Sequence, residues 1–582
     1  MSAARLCKRG QRGAALIAVI FFIVVMSLLA AVTAYLVASD SAGASDYGAS
    51  EQAFAVAQGG LEQAILQYKT GTACAALTNT NIPLGNGSYT TSGTVHATTT
   101  TLAAALAAGD TVIRVNSLVG FGTHGRVSIN SEEINYSDTS TDPVVCLGAA
   151  ACLTGARRAQ NNTTVAAAAA AAVVRQNICQ IRSVGTVLTA QRTVEASMVP
   201  ARAAFLDGAN VAVGTTATVL GTLNTVLPAG DNIVLAKVAF RNTNANRQIA
   251  AGNLQLLRNG TAVASNQFII DVGGYPPSNN NFPQETQYLL FRDANAPANA
   301  SYSATAAATN TNINAELKLI VLNGFEPNTF QDGGGVAMGT TTTTLITHNS
   351  TVPAGNNAVL AVVQMDNTAG GGPRTILAGN LRLARGATVL STNQFNLSLA
   401  RQSRVNQGTA MLLLGLDAGA PANPSYTVTG LASNTGVNAE VKIVVFSGIT
   451  SALFDGNSIA IGTTATTTGT LATMFPAGEN IVIASTQYEN TAGGLRIIAA
   501  GGEELMYGGV AQASSAFDID LCSGTVECND FDKGLMWRHA ASPPSPSYAI
   551  RARANNTGIS GETKILALHI DNPAVDWQEI FP

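Results

Sequence analysis

From about residue 200 to its end at residue 582, the chain states one pattern three times. A Pro-Ala-Gly turn stands at Pro228, Pro353 and Pro476, so the copies are offset by 125 and 123 residues. Each turn follows an aromatic-acid-glycine opening: Phe205-Leu206-Asp207-Gly208, Phe330-Gln331-Asp332-Gly333 and Phe454-Asp455-Gly456. VAVGTT, VAMGTT or IAIGTT comes next, and the turn is followed by NIVLAKVAF, NAVLAVVQM or NIVIASTQY. The first two copies share Asn266-Gln267-Phe268 and Asn393-Gln394-Phe395, while the third keeps Phe517, and the copies close on Tyr302, Tyr426 and Tyr548. A unit of this length can bury its own core, which a solenoid coil cannot. Short apolar alternations bounded by Gly, Pro and Asn read as antiparallel strands. The expectation is three tandem jelly-roll-like β-sandwich domains, at 199–324, 325–448 and 449–582.

The repeats show no recognisable catalytic pattern. Glu316, Glu440 and Glu562 each precede a lysine by two residues, Lys318, Lys442 and Lys564. Residues i and i+2 share a strand face, so these read as solvent-facing pairs of small energetic weight. Asp207, Asp332 and Asp455 stand beside glycines and read as turn formers, because a calcium loop needs several oxygen ligands close together. The five histidines, His96, His124, His348, His539 and His569, fall at no metal-binding spacing, and no nucleophile elbow or phosphate loop occurs. No catalytic residue, metal or cofactor is assigned, and the chain reads as a non-enzyme. A net charge of −4 with no Lys/Arg cluster beyond the N-terminus argues against a nucleic-acid partner.

The N-terminus is of another kind. Arg5, Lys8, Arg9 and Arg12 precede residues 14–39, AALIAVIFFIVVMSLLAAVTAYLVAS, which carry no charge. A helix of that length crosses the ~30 Å core of a bilayer, with its basic flank cytoplasmic. Tyr47, Phe54, Val56, Leu61, Ile65 and Leu66 continue at helical spacing, so one helix is expected to about residue 68, weakened by Gly43, Gly48, Gly59 and Gly60. The basic leader, Gly13 directly before AALIAVIFFIVVMSLLA, and the trailing EQAFAVAQGGLEQAI resemble a type IV pilin-like N-terminus, in particular the PilX/MshP group of pilus-assembly proteins. The resemblance implies a leader at 1–13, cut by a prepilin peptidase between Gly13 and Ala14, and a helix at 14–68 that leaves the inner membrane to pack among other pilin subunits. It covers about 70 residues. Two departures stand out: Ala14 replaces the commoner Phe or Met, and Ala18 stands where many pilins carry Glu. The second points to a minor, tip-associated subunit rather than an endlessly repeated one.

Residues 69–198 read as a pilin-like β-region with a small β-module inserted at about 100–174. The module's GDTVIRVNSLVGFGTHGRVSINSEEINYSDTS and CLTGARRAQ resemble a module of phage tail and virion proteins. Glu132 and Glu133 read as strand-edge charges, since adjacent strand residues point to opposite faces. The run at 166–172 reads as an extended segment or bend. Six cysteines follow the leader's Cys7, an even number suited to an oxidising compartment. Cys146 with Cys152 and Cys522 with Cys528 are candidate local pairs, and the pilin-like reading lets Cys74 and Cys179 staple helix end to sheet. The third repeat inserts the Cys522–Cys528 loop, and Phe531 and Trp537 beside it form a candidate distal binding surface for a surface glycan or protein.

The fold expected is therefore mainly β with one long N-terminal helix, a small sheet and three sandwiches. The function expected is that of a minor pilin-like subunit of a type IV pilus or pseudopilus, displaying the sandwiches for adhesion or assembly priming at the cell surface. The alternative is a singly anchored surface adhesin or receptor that never enters a filament.

Overall fold

The structure is a computed structural model that describes residues 11–580 apart from 70–73, 123, 130–131, 161–164, 166, 199–202, 226, 228–229, 243–246, 273–283, 298, 324–328, 353, 369–373, 400–407, 448, 476–477, 493, 495, 522–532 and 571–575. The Pro-Ala-Gly prolines of the repeats thus lie outside the described residues. The chain forms two compact units, Met1–Val95 with Cys179–Met198 and Val575–Pro582, and His96–Ile178 with Val199–Ala574.

The first unit is built on one helix, α1, Gln11–Lys69. In its last third Ala53, Val56, Ala57, Leu61 and Ala64 are buried, at the three- and four-residue spacing of a single face. That face is made largely of small residues, whereas Tyr47 and Leu66, expected on it, are 69% and 62% exposed. The reason is close approach. A β-carbon at Gly185 would strike the backbone of Ala53 and Ala57, and one at Gly59 or Gly60 would meet Leu84 or Tyr89. The helix glycines that weaken α1 in isolation therefore let it lie against its sheet. That sheet takes in Asn79–Leu84, Gly87–Thr101, Val173–Val187, Ala190–Met198 and Asp576–Ile580. Ala190–Met198 pairs antiparallel with Val173–Val187 on one side and with Asp576–Ile580 on the other. The final strand corrects the sequence reading, which gave all of 449–582 to the third repeat: the third sandwich's last strand is Ile559–Ile570, and the chain then returns to the first unit. A five-residue strand carries no mark of its partner in its own sequence.

In the second unit, His96–Ile178 forms the small module, whose core holds Leu102, Ile113, Val115, Ile134, Tyr136 and Leu153. Part of the alanine-rich run is extended, with Ala168 bridged to Leu106.

Each repeat is a jelly roll of two facing sheets. In the first, the eight main strands are Ala203–Asp207 (continued by Val211–Val213), Thr218–Asn224, Gly230–Asn242, Leu254–Arg258, Thr261–Ser265, Gln284–Ala296, Ser301–Ala306 and Ile313–Asn323. Numbered one to eight, they form sheets ordered 1-8-3-6 and 2-7-4-5, and both orders recur in the second and third repeats. The opening glycine breaks strand one. Gly208 donates its N–H to the Leu317 carbonyl at 2.8 Å, and a β-carbon there would lie 2.7 Å from that oxygen. Gly333 and Gly456 make the same bond to Val441 and Thr563.

The three sandwiches are not independent beads. Their 1-8-3-6 sheets turn their outer faces to one another and bury a common apolar cluster, to which equivalent positions contribute in turn: Leu235, Leu360 and Ile483 from strand three, and Ile320, Val444 and Leu566 from strand eight. Polar contacts close the ring. Gln364 Nε2 donates to the Tyr288 carbonyl at 2.9 Å, Ser485 Oγ to the Leu412 carbonyl at 3.3 Å, and the Gly534 N–H to Tyr288 Oη at 3.1 Å. A second tier follows the same cycle. The Gln267 N–H reaches Gln364 Oε1 and the Gln394 N–H reaches Gln487 Oε1, while the first repeat meets the third through Arg241 and Asp518, 3.3 Å apart. The repeats thus enclose a pseudo-threefold axis within one chain.

Candidate functional site

The helix expected to carry assembly begins before the proposed cleavage point: Gly13 and Ala14 both lie in α1, whose described backbone starts at Gln11. From Leu16 to Val37 its large apolar side chains, Val25 apart, are exposed, between 50% for Val32 and 75% for Tyr35, and none of the described residues covers them. The two hydroxyls of this stretch that carry hydrogen bonds turn inward. Ser27 Oγ donates to the Ile23 carbonyl at 2.7 Å and Thr33 Oγ1 to Leu29 at 2.8 Å, which satisfies both without water. This part of α1 is long and apolar enough to cross a membrane, and by those features it fits a membrane anchor or a signal sequence. Where the helix meets its sheet, Arg192 Nε donates to Ser50 Oγ at 2.8 Å, and Tyr89 Oη bonds Gln63.

Two disulfides are present among the described residues. Cys74, just past the end of α1, is joined to Cys179 across 105 residues, and Cys146 to Cys152 across six. Cys522, Cys528 and Phe531 lie outside the described residues.

Trp537 does not form an open binding surface. It is half-buried on Leu535–Ser542, packs against the third sandwich's core and stacks on His539 at 4.6 Å, beside Tyr507 and Tyr548. Its physical setting is a swap of chemistry between copies. In the first repeat Tyr302 Oη donates to Asp293 at 2.6 Å, Arg258 pairs with the same carboxylate at 2.5 Å, and Asn232 donates to the tyrosine at 2.8 Å. The second repeat matches this with Tyr426, Asp417, Arg385 and Asn357. In the third, His539 and Tyr507 occupy the Asp and Arg positions, and ring stacking replaces the ion pair. Burial raises the phenol pKa of all three tyrosines, that of Tyr548 to about 12, and lowers that of His539. These closing tyrosines are structural.

The third copy also rebuilds its core. Glu503 takes the place of Leu254 and Leu381, and Thr486 and Tyr488 replace apolar neighbours. Glu503 is fully buried, its carboxylate bonded by Tyr488 Oη at 2.8 Å and by Thr486, and burial raises its pKa. At this position the third copy therefore carries a polar substitution matched by two others.

Two readings of charge change. Glu132 is not a strand-edge charge: it is 2% exposed and holds Arg158 through two bonds of 2.7 and 2.6 Å, since the loop bearing Ala107 folds over the pair. The side chain of Glu133 lies outside the described residues. The Glu-x-Lys pairs are not solvent-facing either. Strand eight turns them toward the interface between repeats, where Lys318, Lys442 and Lys564 keep 4%, 9% and 3% side-chain exposure. Each lysine contacts the aspartate of its own repeat's opening: Nζ lies 2.5 Å from Asp207, 2.8 Å from Asp332 and 2.7 Å from Asp455. The glutamates stand 3.1, 3.2 and 3.5 Å from the same amines. Two motifs read separately in the sequence are thus one Asp-Lys-Glu triad, repeated three times. The only sequence signal for it was that both recur at matching positions. Among the described residues no group of three or more His, Cys, Asp or Glu could hold a metal ion.

No protein-family model matches the chain, and no curated protein sequence matches it. Similar solved structures include that described as the triple jelly roll fold and turret assembly in an archaeal virus, at 12% identity over 68% of this chain and 87% of that one, TM-score 0.15. Others are the STIV MCP, at 10% identity over 41% and 95%, TM-score 0.20, and the infectious bursal disease virus VP2 subviral particle, at 10% over 44% and 79%, TM-score 0.16. At these scores the jelly rolls of this chain rest on their own strand order.

Proposed function

We propose that the chain is a minor pilin-like structural subunit of a type IV pilus or pseudopilus, tip-associated, that displays its three jelly rolls for adhesion or assembly priming. The observation that carries the reading is α1 itself: an uncharged, uncovered N-terminal stretch continuous with a segment packed on a small sheet. An apolar helix surface of this size requires a bilayer or other apolar helices around it. The last strand of the chain supports the same reading, because it returns the C-terminus to the helix-bearing sheet and leaves the jelly rolls as an insertion. Bulky inserted domains are easier to place at a filament's end than along a packed shaft. Ala18, in place of the acidic residue of many pilins, fits a minor subunit rather than an endlessly repeated one. The second reading, a singly anchored surface adhesin or receptor outside any filament, is favoured by the same uncovered apolar stretch, which needs only a bilayer around it.

Mass spectrometry of the membrane-bound and surface-sheared protein separates the two. A mature N-terminus at Ala14, lost when Gly13 is replaced, is the expected result. Retention of residues 1–13 in the surface form would count against a pilin-like subunit and leave the anchored adhesin.

A further inference from the structure

The Asp-Lys-Glu triads have a geometry that an ion pair does not require. We propose that each jelly roll is closed by a covalent amide between its first and eighth strands, joining Asp207 to Lys318, Asp332 to Lys442 and Asp455 to Lys564. Each aspartate is the direct cross-strand partner of its lysine in the antiparallel register. The backbone ladder therefore holds amine and carboxyl at the contact distances of 2.5–2.8 Å already given. Such fixed proximity replaces a bimolecular encounter with an intramolecular one, worth a large effective concentration. The amine end is dry and the acid end is not: the aspartate side chains are 51%, 51% and 44% exposed. The open side gives the released water a way out.

The third member supplies proton transfer. Glu316, Glu440 and Glu562 each stand within 3.5 Å of the lysine nitrogen, within reach for a general base that later acts as an acid. Burial raises the pKa of Glu440 and pushes Glu562 up to about 7, where a carboxyl can both take and return a proton near neutral pH. The step balances without a co-reactant. The glutamate takes one proton from the ammonium and passes it to the aspartate, so that a neutral amine faces a neutral acid; Nζ attacks Cγ, the nitrogen gives up a second proton, which the glutamate carries to the departing hydroxyl, and the C–O bond breaks to release water as the C–N bond is completed. Net, one ammonium and one carboxylate become one amide and one water.

The placement also has a mechanical sense. Ala203 faces Leu322 at the end of the sandwich where the chain enters and leaves, so a pull on neighbouring linkers loads strands one and eight first. An amide four residues further in would stop their separation there.

The test is peptide mapping of the full-length protein by mass spectrometry. Trypsin should fail to cut after Lys318, Lys442 and Lys564, and each lysine should appear in a branched peptide with its aspartate, lighter than the two parts by one water. Linear peptides ending at these lysines overturn the proposal, whatever any variant does. Asp332→Ala should abolish the second branched peptide and leave the other two. Glu440→Gln should do the same, and a full yield of the second bond in that variant would overturn the role given to the glutamate.

Discussion

The shared cluster makes Leu360→Ala a sharp test of whether three repeats behave as three domains or one. Leu360 is fully buried and points from strand three of the second repeat to the common cluster, whereas Leu383, equally buried, belongs to that repeat's own core. Deleting a buried leucine side chain costs about 2–5 kcal/mol, and about 3 serves here. The unfolding entropy is about 2.1 cal/mol/K per residue, so a cooperative body of roughly 370 residues, from Ala203 to Ile570, has about 0.8 kcal/mol/K and should lose about 4 °C in Tm. A repeat of about 120 residues melting alone has about 0.25 kcal/mol/K, and the same loss would lower its Tm by about 12 °C. Differential scanning calorimetry of the full chain should show the small shift, spread over one transition that includes all three repeats. Leu383→Ala should move that same transition by a similar amount. Separate transitions, with a drop near 12 °C confined to one, would refute the shared core as a unit of stability.

Other tests address other contacts. A β-carbon at Gly534 would press on the Tyr288 hydroxyl and, at 2.7 Å, on the Ala484 carbonyl. Gly534→Ala should therefore cost about 1–3 kcal/mol by denaturant titration, part of it recovered by Tyr288→Phe in the same chain. Cys74→Ser opens a 105-residue loop and should lower the stability of the helix-bearing unit by about 2–5 kcal/mol, read by urea unfolding with and without reductant. Asp366 is 5% exposed with an unpaired Oδ1, and burial raises its pKa from 3.8 to about 6. A carboxyl raised in the folded state contributes stability below pH 4 that is lost as pH rises through 6. Asp366→Asn should remove that slope and leave the variant the more stable above pH 6.

Much of this was legible because it is local or repeats. The jelly-roll class follows from alternating strands bounded by turn residues, and the copies from Phe205, Phe330 and Phe454 recurring in step. The Asn266 and Asn393 motif was visible as a repeat, but its work was not: each side chain accepts the N–H of a leucine, Leu254 or Leu381, and donates to two carbonyls. On α1 the helical spacing places Val56 and Leu61 in the interior and Phe54 and Ile65 against it, but large size alone is no mark of burial, since Tyr47 and Leu66 are exposed. Close backbone approach at Gly185 adds Ala53 and Ala57 to the buried face. Trp537 reads as part of a distal surface because it follows the inserted Cys522–Cys528 loop in sequence, while its neighbours in space, Tyr507 and Tyr548, come from other strands.

The sequence alone determined which elements exist: an uncharged helix by length and composition, strands by alternation, and three equivalent domains by period. It also determined that Glu316 and Lys318 share a face, since that depends only on the two-residue strand period. Which environment the face meets was a matter for tertiary structure. Strand eight lies between strands one and three, so Lys318 meets Asp207 from 111 residues away, and the packing of three sheets about one axis turns the pair from solvent to interior. No local pattern encodes that, because burial of a strand face is a property of what packs on it.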